Sequence, residues 1–411
     1  MRTPSRGRLA LGALLAVVGP GLIAGLSDDD PAGITTYSVL GAQHGYQLLW
    51  VLALATVALI LFHGLGARMG VVTGQGIIGL IRQRFGVRAS GLALAALVVA
   101  NLGTTCAEFA GLAAGFELFG LPRIVSVPLA AVGVSLLVLR GSFRRIEHIF
   151  VLLASVFVAY IASGLLAHPD WGAAAHGLLV PTMPFTREAF VVITATVGTT
   201  LAPWGLAFIQ SYAVDKQLRP EDLRYERVDV VAGSVLTGVV GLFVIVACAA
   251  TLHRDGISIE SASDAARALE PLAGGAASAL FGIGLIGAAV LAASILPLST
   301  AYSVCEYMGV EAALDDSYAD ARPFYLTYGI VVGVAAALVL IPGAPLVTIL
   351  VATQVLNAVL LLPLLVFLVG VARDRDLMGE WVASRRAVLA YSVTTAVVGV
   401  CVMGLLVSMI L

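Results

Sequence analysis

Apolar residues run along this chain in blocks of about 16 to 34, each near or above the length needed to cross a bilayer, and most charged residues fall in the joints between them. About eleven such blocks can be counted. The first is Leu9–Ala42, interrupted by a polar cluster; the second is Leu48–Met69, the third Arg88–Leu118, the fourth Ile124–Leu139 and the fifth Ile149–Ala167. After a polar loop come Arg187–Val214, Val228–Leu252, Ala276–Tyr302, Phe324–Ile341, Ala344–Val371 and Arg386–Leu411. The pattern predicts an all-α integral membrane protein of one domain over residues 1–411, with no polar stretch long enough for a separate soluble unit.

Two blocks contain helix breakers at mid-length. The first reads Ser27-Asp28-Asp29-Asp30-Pro31-Ala32-Gly33. A charge at the centre of a membrane helix costs about 3 kcal/mol or more, so three carboxylates there need a water-filled cavity, a cation or both. Pro31 cannot donate a backbone hydrogen bond and Gly33 weakens the helix further, so carbonyl oxygens are freed beside the carboxylates. Such a set suits a hard cation. The plainer alternative is a turn between two short helices at the membrane surface. The sixth block carries Gly198, Thr199, Thr200, Pro203 and Gly205, either a second break or an ordinary proline kink. Paired interruptions five spans apart predict inverted repeats, residues 9–167 and 187–371, with a transport site between the breaks and an additional span at 386–411.

Composition agrees. Of 411 residues, 60% are hydrophobic and only 12% charged, about half the charge of a soluble domain. Arg2, Arg6 and Arg8 before an apolar run resemble a secretory signal, but no small-residue cleavage site follows, so the run is read as a retained first span. Basic residues fall in alternate joints: Arg2 to Arg8, Arg82 to Arg88, Arg140 to Arg145, Lys216 to Arg227, and Arg373 to Arg386. The positive-inside rule puts these in the cytoplasm of a cell (plasma or inner) membrane, with the N-terminus cytoplasmic and the C-terminus outside. The acidic joint from Glu306 to Asp320 dissents, but acids carry little topological weight. Cys106, Cys248, Cys305 and Cys401 show neither metal nor disulfide spacing, and the six histidines form no cluster; His44, His63 and His148 fall near span ends. No phosphate-binding loop or enzymatic motif is present. The chain is not expected to be an enzyme, to need a cofactor, or to bind nucleic acid or an obligatory protein partner; its surroundings are lipid.

The residues at the breaks resemble the Nramp (natural resistance-associated macrophage protein) divalent-metal transporters. Gly19-Pro20-Gly21, Asp30-Pro31 and the run from Gly41 to Trp50 look like that family's first span and following turn. Asp30-Pro31-Ala32-Gly33 stands at its D-P-G-N motif, and Gly198-Thr199-Thr200-Leu201-Ala202-Pro203-Trp204 at its G-A-T-I-M-P-H motif. The resemblance extends through Leu269-Glu270-Pro271-Leu272 and Thr353-Gln354-Val355. It implies a LeuT-type fold of five plus five spans, with spans 1 and 6 interrupted at mid-membrane. It also implies a metal site drawn from Asp30, Asp28, Ser27, Gly33, Thr199, Ala202 and Gln354. In that set Asp30 is the principal ligand, Ser27, Thr199 and Ala202 offer carbonyls, and Gln354 offers either an amide oxygen or an interhelical hydrogen bond.

Departures from the family pattern bear on the cargo. The family's ligating Asn is Gly33, its ligating Met is Ala202, a His two residues on is Trp204, a later His is Ile209, and an Asp on its proton route is Thr105. Glu108 is kept, as a protonated structural group or part of an ion path. Without thioether sulfur the donors are all oxygen, which suits Mg²⁺ or Ca²⁺, and Mg²⁺ tends to keep several of its waters. This resembles the Nramp-related magnesium transporters and implies uptake of partly hydrated Mg²⁺ without proton coupling. Two alternatives stand beside it: a proton-coupled Mn²⁺ or Fe²⁺ transporter, and, more distantly, an amino-acid or other organic-solute symporter on the same scaffold.

Overall fold

The computed structural model describes residues 29–140, 158–310, 318 and 321–410. Within them, eight helices are long and apolar enough to cross a membrane. They follow the apolar blocks closely. Helix α1 (Pro31–His44) is the second half of the first block; the first half, with Ser27 and Asp28, lies outside the described residues. The second and third blocks are α2 (Leu49–Thr73) and α4 (Val87–Glu117). Between them sits α3 (Ile77–Phe85), a short amphipathic helix that span-length reading takes for a loop. The fourth block is α5 (Arg123–Arg140), and α6 (Val158–Leu166) is the described part of the fifth.

The joint after α6 also folds, as α7 (Trp171–Leu179), capped by the Asp170 carboxylate on the Ala173 amide. The sixth block divides into α8 (Arg187–Thr200) and α9 (Pro203–Asp215). Then follow α10 (Leu223–Cys248), α11 (Ala277–Met308), α12 (Arg322–Val339), α13 (Leu346–Ala372) and α14 (Arg385–Ile410). The joint before α11 holds two short helices, Ala262–Ala266 and Glu270–Ala273, the first started by a reciprocal Ser261–Asp264 cap.

Helix α4 packs between α11 and α13; α8 packs on α13 and α1, and α10 on α1 and α2. The broken spans are therefore central, and α14 lies outside against α8 and α13. Small residues permit the closest crossings, as membrane helices require when lipid supplies no hydrophobic drive for association. Gly198 of α8 is among the tightest. A methyl group there would lie 2.7 Å from the Ala358 nitrogen and nearer still to the Gln354 carbonyl oxygen, both backbone atoms of α13. Gly198→Ala is expected to cost about 1–3 kcal/mol through forced separation of the two helices, read as a lower unfolding temperature in detergent.

The ends of the helices sort by charge. Arg84, in the last turn of α3, pairs with Asp374 at 2.6 Å, joining two basic joints that are far apart in sequence. The sequence places Glu306 at the start of an acidic joint. It stands instead within α11, accepting from the Ser211 hydroxyl of α9 at 2.7 Å and from the Ile78 amide at 3.2 Å. It thereby ties α9, α11 and the start of α3 together at this basic end. His63 also departs from its expected interfacial position: it is buried within α2.

Candidate metal site between two broken helices

Asp30 is the N-cap of α1 and Pro31 its first residue, a pairing the sequence favours because proline has no amide to leave unsatisfied. The Asp30 Oδ1 accepts from the Gly33 amide at 2.5 Å. Asp30 is 3% exposed and Asp29 is fully buried, with neither Asp29 oxygen hydrogen-bonded. Against this segment lies α4. Gly111 is in contact with the Pro31 ring, where a Cβ would collide. Glu108, three residues earlier on the same face, is thereby turned toward the Asp30 carboxyl. Both Glu108 oxygens are buried without a hydrogen-bond donor. The Asp30 carboxyl thus neighbours Glu108, with Asp29 beside it in sequence, and none of the three has a basic partner; the ion pairs among the described residues all lie elsewhere. Buried carboxylates without a counter-charge are strongly destabilising unless protonated or met by a cation.

The second break closes the other side. Pro203 begins α9 and has no N–H, so the Thr199 carbonyl loses the donor that residue 203 would give in a continuous helix. Leu201 and Ala202 take non-helical dihedrals, with ψ of 69° and 143°. The Thr199 hydroxyl is buried without a partner. A hydrogen bond of 2.9 Å between the Tyr37 and Thr200 hydroxyls links α1 to the last turn of α8. The two interrupted segments are therefore joined in space although 163 residues separate these two hydroxyls in sequence.

The remaining candidate residues take different places. Gly33 supplies its amide to Asp30. The Ala202 methyl packs in an apolar cluster with Trp204, Phe208, Leu291 and Ile295. Trp204, Phe208 and Tyr212 recur every four residues along α9, and the last two rings stack 5.2 Å apart, forming an aromatic wall below the break. Gln354 lies against Gly198, and its side-chain oxygen accepts from Asn357 at 2.9 Å. Asn357 also donates to Thr104 on α4 at 2.9 Å, and Asn101 donates to Thr300 on α11 at 2.9 Å. Sequence reading missed this network. Its signal was present, because Asn101, Thr104, Thr105 and Glu108 share one face of a membrane helix.

Among the described residues no three His, Cys, Asp or Glu side chains form a group that could hold a metal. An ion at the breaks would take few side-chain ligands and complete its shell from carbonyls and water.

A family model described as natural resistance-associated macrophage protein-like matches residues 21–408. The chain belongs to the Nramp family. Nramp proteins are transporters, not enzymes. The chain is similar to the divalent metal cation transporter MntH of Burkholderia ambifaria, 29% identical over 406 residues, covering 95% of this chain and 89% of that protein. Its likeness to MntH of Yersinia pestis is 29% over 400 residues, covering 94% and 93%. Among solved structures, the Eremococcus coleocola manganese transporter superposes with a TM-score of 0.77 at 19% identity, covering 99% of this chain and 88% of that one. MhsT, solved with L-phenylalanine, gives 0.62 at 15% identity, with 98% of each chain covered. The fold of this Nramp chain is therefore the all-helical LeuT-type inverted repeat, and among the described residues the sixth span is interrupted between α8 and α9.

Proposed function

We propose that this Nramp protein carries divalent cations across a cell membrane, binding them between the two breaks. Asp30 and the Thr199 carbonyl are the central donors, and Asp28, Ser27, Gly33, Ala202 and Gln354 complete the candidate set. The observation that carries the reading is the gathering of Asp29, Asp30 and Glu108, buried without a basic partner, beside a helix end whose carbonyl lacks its donor. The names of the relatives, divalent metal cation transporter and manganese transporter, support Mn²⁺ as cargo. The donor set supports a second reading that includes Mg²⁺. Carboxylate, carbonyl and water suit Mn²⁺ and Mg²⁺ alike, and no sulfur or imidazole stands at Ala202 or Trp204 to favour the softer ion. An organic-solute symporter on this scaffold would hold a substrate carboxylate where three carboxyls already stand, which the charges oppose.

The repeat halves are taken as residues 9–167 and 187–371. The clustering of Arg84 with Asp374 supports placing the basic joints together, hence a cytoplasmic N-terminus and an external C-terminus. With Thr105 in place of the family's aspartate, transport is driven by membrane potential and gradient. Purified protein in liposomes with an imposed inward-negative potential is expected to admit both Mn²⁺ and Mg²⁺ without acidifying the interior. Mn²⁺ uptake with matching interior acidification and no Mg²⁺ uptake would replace this with the proton-coupled manganese reading; uptake of neither ion would refute transport itself.

A further inference from the structure

Helix α10 opens with two acids at its basic end. Glu226 is 1% exposed and Asp229, one turn on, is 2% exposed. Residues three apart on a helix are surface neighbours, about 5–6 Å between Cβ atoms. Neither Glu226 oxygen has a hydrogen-bond partner. Its charged surroundings are Asp229 and Asp222, both repulsive, and Lys216, which forms no ion pair with it and rests its Nζ 5.0 Å over the Tyr212 ring. Glu226 does nothing for the helix start either. The Asp222 carboxylate, accepting from the Arg219 amide at 3.0 Å, closes the short turn Pro220–Asp222 that precedes α10. A carboxylate buried at such cost, with no structural bond, marks a place where a cation is the missing partner.

The position is connected to the breaks. Glu226, Asp229, Gly233 and Thr237 lie on one face of α10, and this face continues to Gly241, against which the Tyr37 ring packs. Tyr37 in turn reaches Thr200. From Thr237 to Glu226 the helix rises about 16 Å, roughly half the hydrocarbon thickness. Along it, the Thr237 hydroxyl donates to the Gly233 carbonyl at 3.1 Å, and the Ser234 hydroxyl is buried without a partner. Polar Glu226, Asp229, Ser234 and Thr237 alternate with small and apolar residues along this buried side, which leads from mid-membrane to the basic end.

We propose that Glu226 and Asp229 form a second divalent-cation site, a waypoint for a hydrated ion between the breaks and the basic-end surface. Two carboxylates as the side-chain donors suit an ion that keeps most of its water, as Mg²⁺ does and Mn²⁺ can. Its role in transport rests on the function proposed above; its existence as a binding site does not.

The test is Mn²⁺ binding to the full-length protein in detergent, followed by loss of the free-ion paramagnetic resonance signal. Wild type is expected to bind two Mn²⁺ ions, the second more weakly. Asp30→Ala should leave the weaker ion, and Glu226→Gln in either background should weaken it at least tenfold. Glu226→Asp, which keeps the charge, should retain it, as should Glu221→Gln at an exposed acid nearby. A single Mn²⁺ in wild type, or a second ion indifferent to Glu226→Gln, overturns the site. Loss of the ion in the Glu221→Gln protein would do the same, by showing non-specific attraction. If liposome uptake fails while the second ion responds to Glu226→Gln, the transport reading falls and the site stands.

Discussion

Asp30→Ala is expected to reduce Mn²⁺ and Mg²⁺ uptake at least hundredfold while the protein stays folded. A divalent ion about 4 Å from one carboxylate gains about 8 kcal/mol of attraction at an effective dielectric of 20. Desolvation removes much of that. If a third survives, the loss is about 3 kcal/mol, or roughly a hundredfold in binding. The structural cost is smaller. Asp30 caps α1 through the Gly33 amide, and losing such a cap costs about 1 kcal/mol. Removing one of three crowded carboxyls offsets part of it. Asp30→Asn separates the two effects, because its amide oxygen can still cap α1 while the charge is gone. It should unfold at the wild-type temperature and still fail to transport. Normal uptake by the Asn variant would remove Asp30 from the role of principal ligand, and equal unfolding losses in both variants would assign it to structure.

Much of this architecture was legible in the chain because membrane helices announce themselves by length and their breaks by proline. Pro31 and Pro203 are each the first residue of a helix, as their missing amides favour. What escaped depended on contacts between spans. Helix α3 is too short and too charged to count as a span, and its Ile78 amide is met by Glu306, from more than two hundred residues on. Glu306 itself looked like loop because acids follow it in sequence; packing against Ser211 keeps it helical and buried. For Gln354 both a ligand and a hydrogen-bonding role were open, and its oxygen is engaged by Asn357, which no spacing rule had singled out. The carboxyl cluster was half visible. Asp29 and Asp30 stood together in sequence, but that Glu108 joins them follows from Gly111 touching Pro31.

The choice of cargo turns on one missing side chain, so restoring it should have a large effect. Ala202→Met is expected to raise the preference for Cd²⁺ over Mg²⁺ by about tenfold or more, since a thioether favours soft ions and gives Mg²⁺ nothing. About 1.4 kcal/mol of differential binding suffices for tenfold. Ala202 is only 2% exposed and its methyl sits among Trp204, Leu291 and Ile295, so the larger residue must displace neighbours. Overpacking of that kind costs about 1–3 kcal/mol and by itself would lower transport of every ion. Ala202→Leu has nearly the same volume and no sulfur, and therefore isolates the steric part. If the Met protein gains Cd²⁺ and the Leu protein only loses activity, sulfur chemistry at this position sets the selectivity, and its absence explains a site open to hard cations. If the two variants keep the same ratio of Cd²⁺ to Mg²⁺ uptake, selectivity is set elsewhere. The waters retained by the ion and the carbonyl of Thr199 would then be the groups to examine, because neither changes with the side chain at 202.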